Sequence, residues 1–117
     1  MTHTRYTAIA PFRFESLLIR ELTPDGSSSA SVAEVTVPSG TGHRRARSAK
    51  CDKLYICLAG EILFRLDDRE LRLLPNDVLS IRSNDWFAYA NDSAAEARLL
   101  LVHVPPFDLA AEEFAEP

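Results

Sequence analysis

The chain has 117 residues, enough to bury one core and too few for two, so it reads as a single domain spanning residues 1–117. Its 46% hydrophobic and 26% charged residues are the proportions of an ordinary globular protein, which excludes a disordered polypeptide. A net charge of −4 supplies no global field to hold nucleic acid or an anionic membrane, and neither is expected as a partner.

From the N-terminus, residues 1–8 are expected to fray. Arg5, Pro11, Arg13 and Glu15 break up the opening segment, which argues against a signal peptide. No stretch approaches the ~18–20 apolar residues of a membrane span. Pro24-Asp25-Gly26 opens a turn that leads into Ser27-Ser28-Ser29. Strand-like runs cover residues 17–22, 31–37, 53–58, 61–66, 70–74, 78–81, 86–90 and 97–104. Ile62, Phe64 and Leu66 interleave with Glu61 and Arg65, the period-two pattern of a half-buried strand. Asp67-Asp68 makes a tight hairpin link, and Pro75-Asn76-Asp77 a turn in which Asn takes the left-handed conformation. The run from His43 to Lys50 is strongly basic and reads as a loop, while residues 107–114 suggest helical turns closing one end. Short strands punctuated by turns, with no helical stripe before Phe107, predict an all-β antiparallel sandwich or barrel with a C-terminal tail over residues 108–117.

Cys51 and Cys57 are the only cysteines. On one strand, at ~3.3 Å per residue, they stand beyond disulfide reach of each other. Two free thiols point to a reducing, cytoplasmic location, and their spacing does not suit a zinc site.

Two segments carry a recognisable pattern. Residues 39–60 read SGTGHRRARSAKCDKLYICLAG and residues 74–91 read LPNDVLSIRSNDWFAYAN. Their spacing and turn residues resemble the two motifs of the cupin superfamily, in which a His-x-His pair, a Glu and a later His hold a metal inside a jelly-roll β-barrel. Gly60 and Asn91 occupy their motif places, and Pro75-Asn76-Asp77 stands for the usual Pro-Gly-Asp turn. The ligand places differ: Lys53 replaces the Glu, Phe87 replaces the last His, and His43 alone remains of the pair. His3 lies in the terminus expected to fray, so His103 is the one further imidazole that could be recruited, and no metal or other cofactor is expected.

The resemblance implies that the Glu and His places point inward. By parity, Lys53, Tyr55 and Cys57 then share an inner face, as do Phe87 and Tyr89. Among cupins, the chain is most similar to the small metal-independent dehydratases of nucleoside-antibiotic biosynthesis. Gly42-His43, Tyr55 and Tyr89 match that group's catalytic His and two pocket tyrosines. That group also uses an N-terminal lysine after an Arg-Phe pair; here Glu15-Ser16 follows Arg13-Phe14, and Lys53 would have to substitute.

The expected activity is a metal-independent lyase, dehydratase or isomerase acting on a small polar, anionic or nucleoside-like intermediate of a specialised biosynthetic pathway. His43 would be the base, with Tyr55, Tyr89 and Lys53 stabilising an enolate or protonating a leaving hydroxyl. Phe87 and Cys57 would line the substrate, and Arg44, Arg45 and Arg47 would trap its anionic group at the mouth. A non-catalytic barrel that holds a small ligand is the alternative. The resemblance also allows a homodimer paired through edge strands.

Overall fold

Two antiparallel sheets face each other across one core in the computed structural model, which describes residues 1–26 and 28–116. Ser27 of the serine run and Pro117 of the tail lie outside the described residues. The strands are β1 (Phe12–Phe14), β2 (Leu17–Glu21), β3 (Ser31–Val37), β4 (Gly42–Ser48), β5 (Asp52–Ala59) and β6 (Ile62–Leu66). After them come β7 (Glu70–Leu73), β8 (Val78–Ile81), β9 (Phe87–Ala90), β10 (Ala97–Val104) and β11 (Glu112–Phe114). One sheet runs β1-β2-β3-β10-β5-β8 and the other β11-β4-β9-β6-β7, a jelly roll. Among the described residues the two sheets are not hydrogen-bonded into one closed barrel. No helix among them is long and apolar enough to cross a membrane.

Parity builds the core. Tyr55 and Cys57 on β5, Ile62 and Phe64 on β6, Phe87 and Tyr89 on β9, and Ala97, Leu99 and Leu101 on β10 all turn inward at every second position. Their outward neighbours on β6 and β10, Arg65 and Arg98, reach solvent. The turns follow their residues. Asn76 takes a φ of 74°, and the Asp77 carboxylate accepts from the backbone N–H of Leu74 at 2.9 Å. Between β6 and β7, Leu66 N–H donates to the Arg69 carbonyl at 2.8 Å across Asp67-Asp68. Asn91 is wholly buried and its amide donates to the carbonyls of Val37 (3.0 Å) and Ala95 (2.8 Å). Its motif place is therefore structural: it ties the β9–β10 connection to the end of β3.

Three strands differ from the sequence expectation. The basic run read as a loop is β4, paired with β9 on one side and β11 on the other. A register shift between His43 and Ala46 turns Arg44 and Arg45 outward in succession, while Ala46 and Ser48 are buried. So polar a strand shows no apolar alternation, because neighbouring backbones rather than its own side chains hold it. The tail forms one 3₁₀ turn at Leu109–Ala111, capped by the Asp108 side chain, and then β11 instead of further helix. At the other terminus β1 pairs with β2, and a second 3₁₀ turn at Tyr6–Ala8 is held where fraying was expected. The Tyr6 hydroxyl donates to Glu34 at 2.6 Å and the Arg20 guanidinium lies 4.3 Å over the Tyr6 ring.

Candidate functional site

A cavity of about 300 Å³ lies between the sheets, bordered by β1, β11 and the Phe107–Leu109 segment. Most of its wall is carbon, from Leu17, Ile19, Val35, Leu101 and other apolar side chains. Its polar groups are His43, Lys53, Tyr55, Tyr89, His103, Glu21 and Glu112.

His43 stands at the start of β4, opposite Tyr89 in register. Gly42 before it fits only as glycine, since a Cβ there would lie 2.1 Å from the carbonyl oxygen of Tyr89. The Nδ1–H of His43 donates to the Arg44 carbonyl at 2.6 Å, which fixes the tautomer and leaves Nε2 with the lone pair. Around the imidazole sit Phe87 and Tyr89, each at 5.4 Å, Phe14 at 6.0 Å and Phe114 at 6.2 Å between ring centroids. Burial in this aromatic nest lowers the His43 pKa below 6.5; the bond to Arg44 opposes the shift and the Lys53 charge adds to it. At neutral pH His43 is an uncharged base.

Tyr55 and Tyr89 meet edge to face at 5.6 Å. Burial raises both phenols, and for Tyr55 the neighbouring Tyr89 and Glu112 add to it. Each therefore keeps its proton at neutral pH, which leaves a phenol O–H able to donate a hydrogen bond. Lys53 projects inward from β5 with 3% of its side chain exposed, and its Nζ donates to Glu112 Oε1 at 2.5 Å. A lysine this deep needs a partner, and β11 delivers it. Glu112 is not legible as a site residue in the sequence because it belongs to a tail whose residues suggest helical turns. The available signal was the inward lysine itself, which demands a carboxylate from somewhere.

His103 faces Lys53 across the β10–β5 ladder. Its ring is 5.0 Å from Phe107, and its Nε2 is buried with no hydrogen-bond partner among the described residues. Burial, with the Lys53 charge adding, pushes its pKa down to about 3. A folded-state value below the ordinary 6.5 means stability that is complete above pH 6.5 and lost as pH falls toward about 3. The melting temperature of His103→Gln is therefore expected to fall less steeply than that of the wild type across this window. Superimposable slopes in thermal unfolding at stepped pH would refute the assignment.

Of the residues singled out from sequence, the structure gathers His43, Lys53, Tyr55 and Tyr89 at the cavity wall. Phe87 lies behind them, its ring 5.0 Å from Lys53 Nζ. Cys57 is buried in the core with its Sγ 3.4 Å from the Gly60 carbonyl, and both cysteines are free. The three arginines do not line the cavity. Arg44 pairs with Glu15 at 2.8 Å, Arg45 with Asp67 at 3.0 Å and Arg47 with Glu113 at 2.8 Å. Their guanidinium groups also cover aromatic rings, Arg44 over Phe114 and the other two over Trp86. The residues present do not suit a resident metal: an ammonium and a phenyl ring hold two of the usual ligand places. Among the described residues no three His, Cys, Asp or Glu side chains cluster to receive an ion.

The sequence profile described as "Cupin domain" matches residues 33–103, and the chain belongs to the cupin family. No match emerges among curated protein sequences. Among solved structures, Pac13 of Streptomyces, described as a unique nucleoside dehydratase, superposes with a TM-score of 0.82 at 15% identity, covering 99% of this chain and 92% of that one. Variants of Pac13 with uridine, one at a histidine and two at tyrosines, score 0.83. KdgF from Halomonas sp. gives 0.83 at 11% identity, covering 92% of this chain and 96% of that one. A predicted oxalate decarboxylase of Thermotoga maritima gives 0.79 at 18% identity, covering 89% and 99%. At these identities the likeness is one of fold.

Proposed function

We propose that this cupin is a metal-independent dehydratase that removes water from a small β-hydroxy carbonyl compound of nucleoside type. The observation that carries the reading is the state of His43: its Nδ1 proton is committed to the Arg44 carbonyl, so Nε2 is the basic nitrogen, next to the neutral phenol of Tyr89 and on the same cavity wall as that of Tyr55. The likeness in fold to a nucleoside dehydratase supports the choice of substrate class.

In the proposed reaction Nε2 of His43 takes the proton from the carbon next to the carbonyl, and the C–H electron pair moves into an enolate. Tyr55 and Tyr89 donate hydrogen bonds to the charge that develops on oxygen, where an apolar wall strengthens them. As the carbonyl re-forms, the hydroxyl on the next carbon leaves with the proton held by His43. The products are a conjugated carbonyl compound and water, with no change in oxidation state and the base regenerated. Burial disfavours a resting imidazolium on His43, with the Lys53 charge adding to this and Glu15 and Glu112 opposing it.

The test is incubation with an aldehyde derived from uridine, followed by mass spectrometry and by the absorbance of the conjugated product. A product lighter by one water, formed by wild type and not by His43→Gln, is the expected result. Uridine binding without turnover of the aldehyde would move the protein to the class of ligand-holding barrels and end the dehydratase reading.

A further inference from the structure

Lys53 is the only lysine or arginine side chain that lines the cavity among the described residues, and Glu112 already neutralises it. Their side chains are 3% and 7% exposed and their charged atoms stand 2.5 Å apart. A second carboxylate, Glu21, borders the same space and accepts from the Thr23 backbone N–H at 3.2 Å and hydroxyl at 3.0 Å. The wall therefore carries one cation against two carboxylates, with both histidine pKa values shifted toward the neutral form. Outside it, each arginine of β4 is held by a carboxylate of its own.

We infer that Glu112 is a specificity-determining residue that restricts the site to uncharged ligands, nucleosides and neutral hydroxy-carbonyl compounds rather than their phosphates or carboxylates. The inference rests on the reading of this cavity as the substrate site. An anionic group entering beside Lys53 would meet Glu112 at close range in an apolar surround, where like charges repel far more strongly than in water. Glu112 stands on β11, whose backbone is paired to β4 through Glu112, Glu113 and Phe114, and its side chain is 7% exposed, so turning the carboxylate away would give up the ion pair with Lys53. An uncharged ligand meets neither obstacle. Charge selection thus comes from the C-terminal strand, acting against the lysine of the barrel.

Two measurements decide it. In the wild type, calorimetry should show uridine binding at least about 10-fold tighter than uridine 5′-monophosphate, a difference of ~1.4 kcal/mol. Equal or tighter binding of the monophosphate overturns the proposal. In Glu112→Gln, Lys53 loses its counterion, so the variant should melt several degrees lower, and millimolar acetate or inorganic phosphate should raise its melting temperature while leaving the wild type unmoved. Anions that shift both proteins alike, or neither, also overturn it. If neither uridine nor its monophosphate binds, the nucleoside reading fails, and the acetate comparison alone judges Glu112. Should Glu112→Gln not fold, Glu112→Asp draws the carboxylate back from Lys53 by one methylene. It should show the same anion response at reduced size, and its absence there counts against the proposal.

Discussion

Replacing His43 with glutamine is expected to lower turnover of the uridine-derived aldehyde by about 10²–10⁴-fold, the usual contribution of a positioned general base. That loss corresponds to ~2.7–5.4 kcal/mol of transition-state stabilisation. Glutamine retains polarity and much of the bulk, so the aromatic nest of Phe14, Phe87, Tyr89 and Phe114 should survive and the variant should remain folded. The pH dependence follows from the direction of the shift. Burial holds the His43 pKa below 6.5, so the acid limb of wild-type activity should be centred below the ordinary histidine value. The raised phenols of Tyr55 and Tyr89 add no alkaline limb below about pH 10. Full activity in folded His43→Gln, or an acid limb centred above pH 7, would remove His43 from the chemistry.

The second large effect is on stability. Lys53→Met leaves the Glu112 carboxylate buried beside an apolar side chain, and breaking a buried pair from one side costs about 3–5 kcal/mol. For a domain of this size that is a fall of roughly 10–25 °C in melting temperature. The double change Lys53→Met with Glu112→Leu should recover most of the loss, because an apolar pair of similar volume carries no desolvation penalty. Thermal unfolding of the four proteins closes the double-mutant cycle. Additive losses would mean that the pair is not coupled, and the same result would weaken the role given to Glu112.

The fold class was legible because it rests on local pattern. Eight runs with β character, separated by residues such as Asp67-Asp68 and Pro75-Asn76-Asp77, appear as strands within one or two residues of the expected ends. The strands that escaped notice, β1, β4 and β11, are short or highly charged. β4 and β11 are held by backbone pairing to neighbours remote in sequence and by cross-strand charge, as Arg47 of β4 is to Glu113 of β11, while β1 is a three-residue arm of a hairpin with β2. No property of the segment itself announces such a strand.

The site divides in the same way. Which side chains face inward was decided by the sequence, since alternation along β5 and β9 places Lys53 and Tyr55 on one inner face and Phe87 and Tyr89 on another. The replacement of motif carboxylate and histidine by Lys53 and Phe87 was equally plain there, and with it the poor fit to a metal. Only the tertiary structure decided what those side chains meet. It bulged β4 so that His43 turns in while Arg44 and Arg45 turn out, it paired the arginines with Glu15, Asp67 and Glu113, and it brought Glu112 across to Lys53. Partners such as Glu112 are 59 residues away in sequence, and the charge they cancel is fixed by distances that no local pattern encodes. Inward direction is a property of one strand; the electrostatics of the cavity belong to the packing of two sheets and both chain ends.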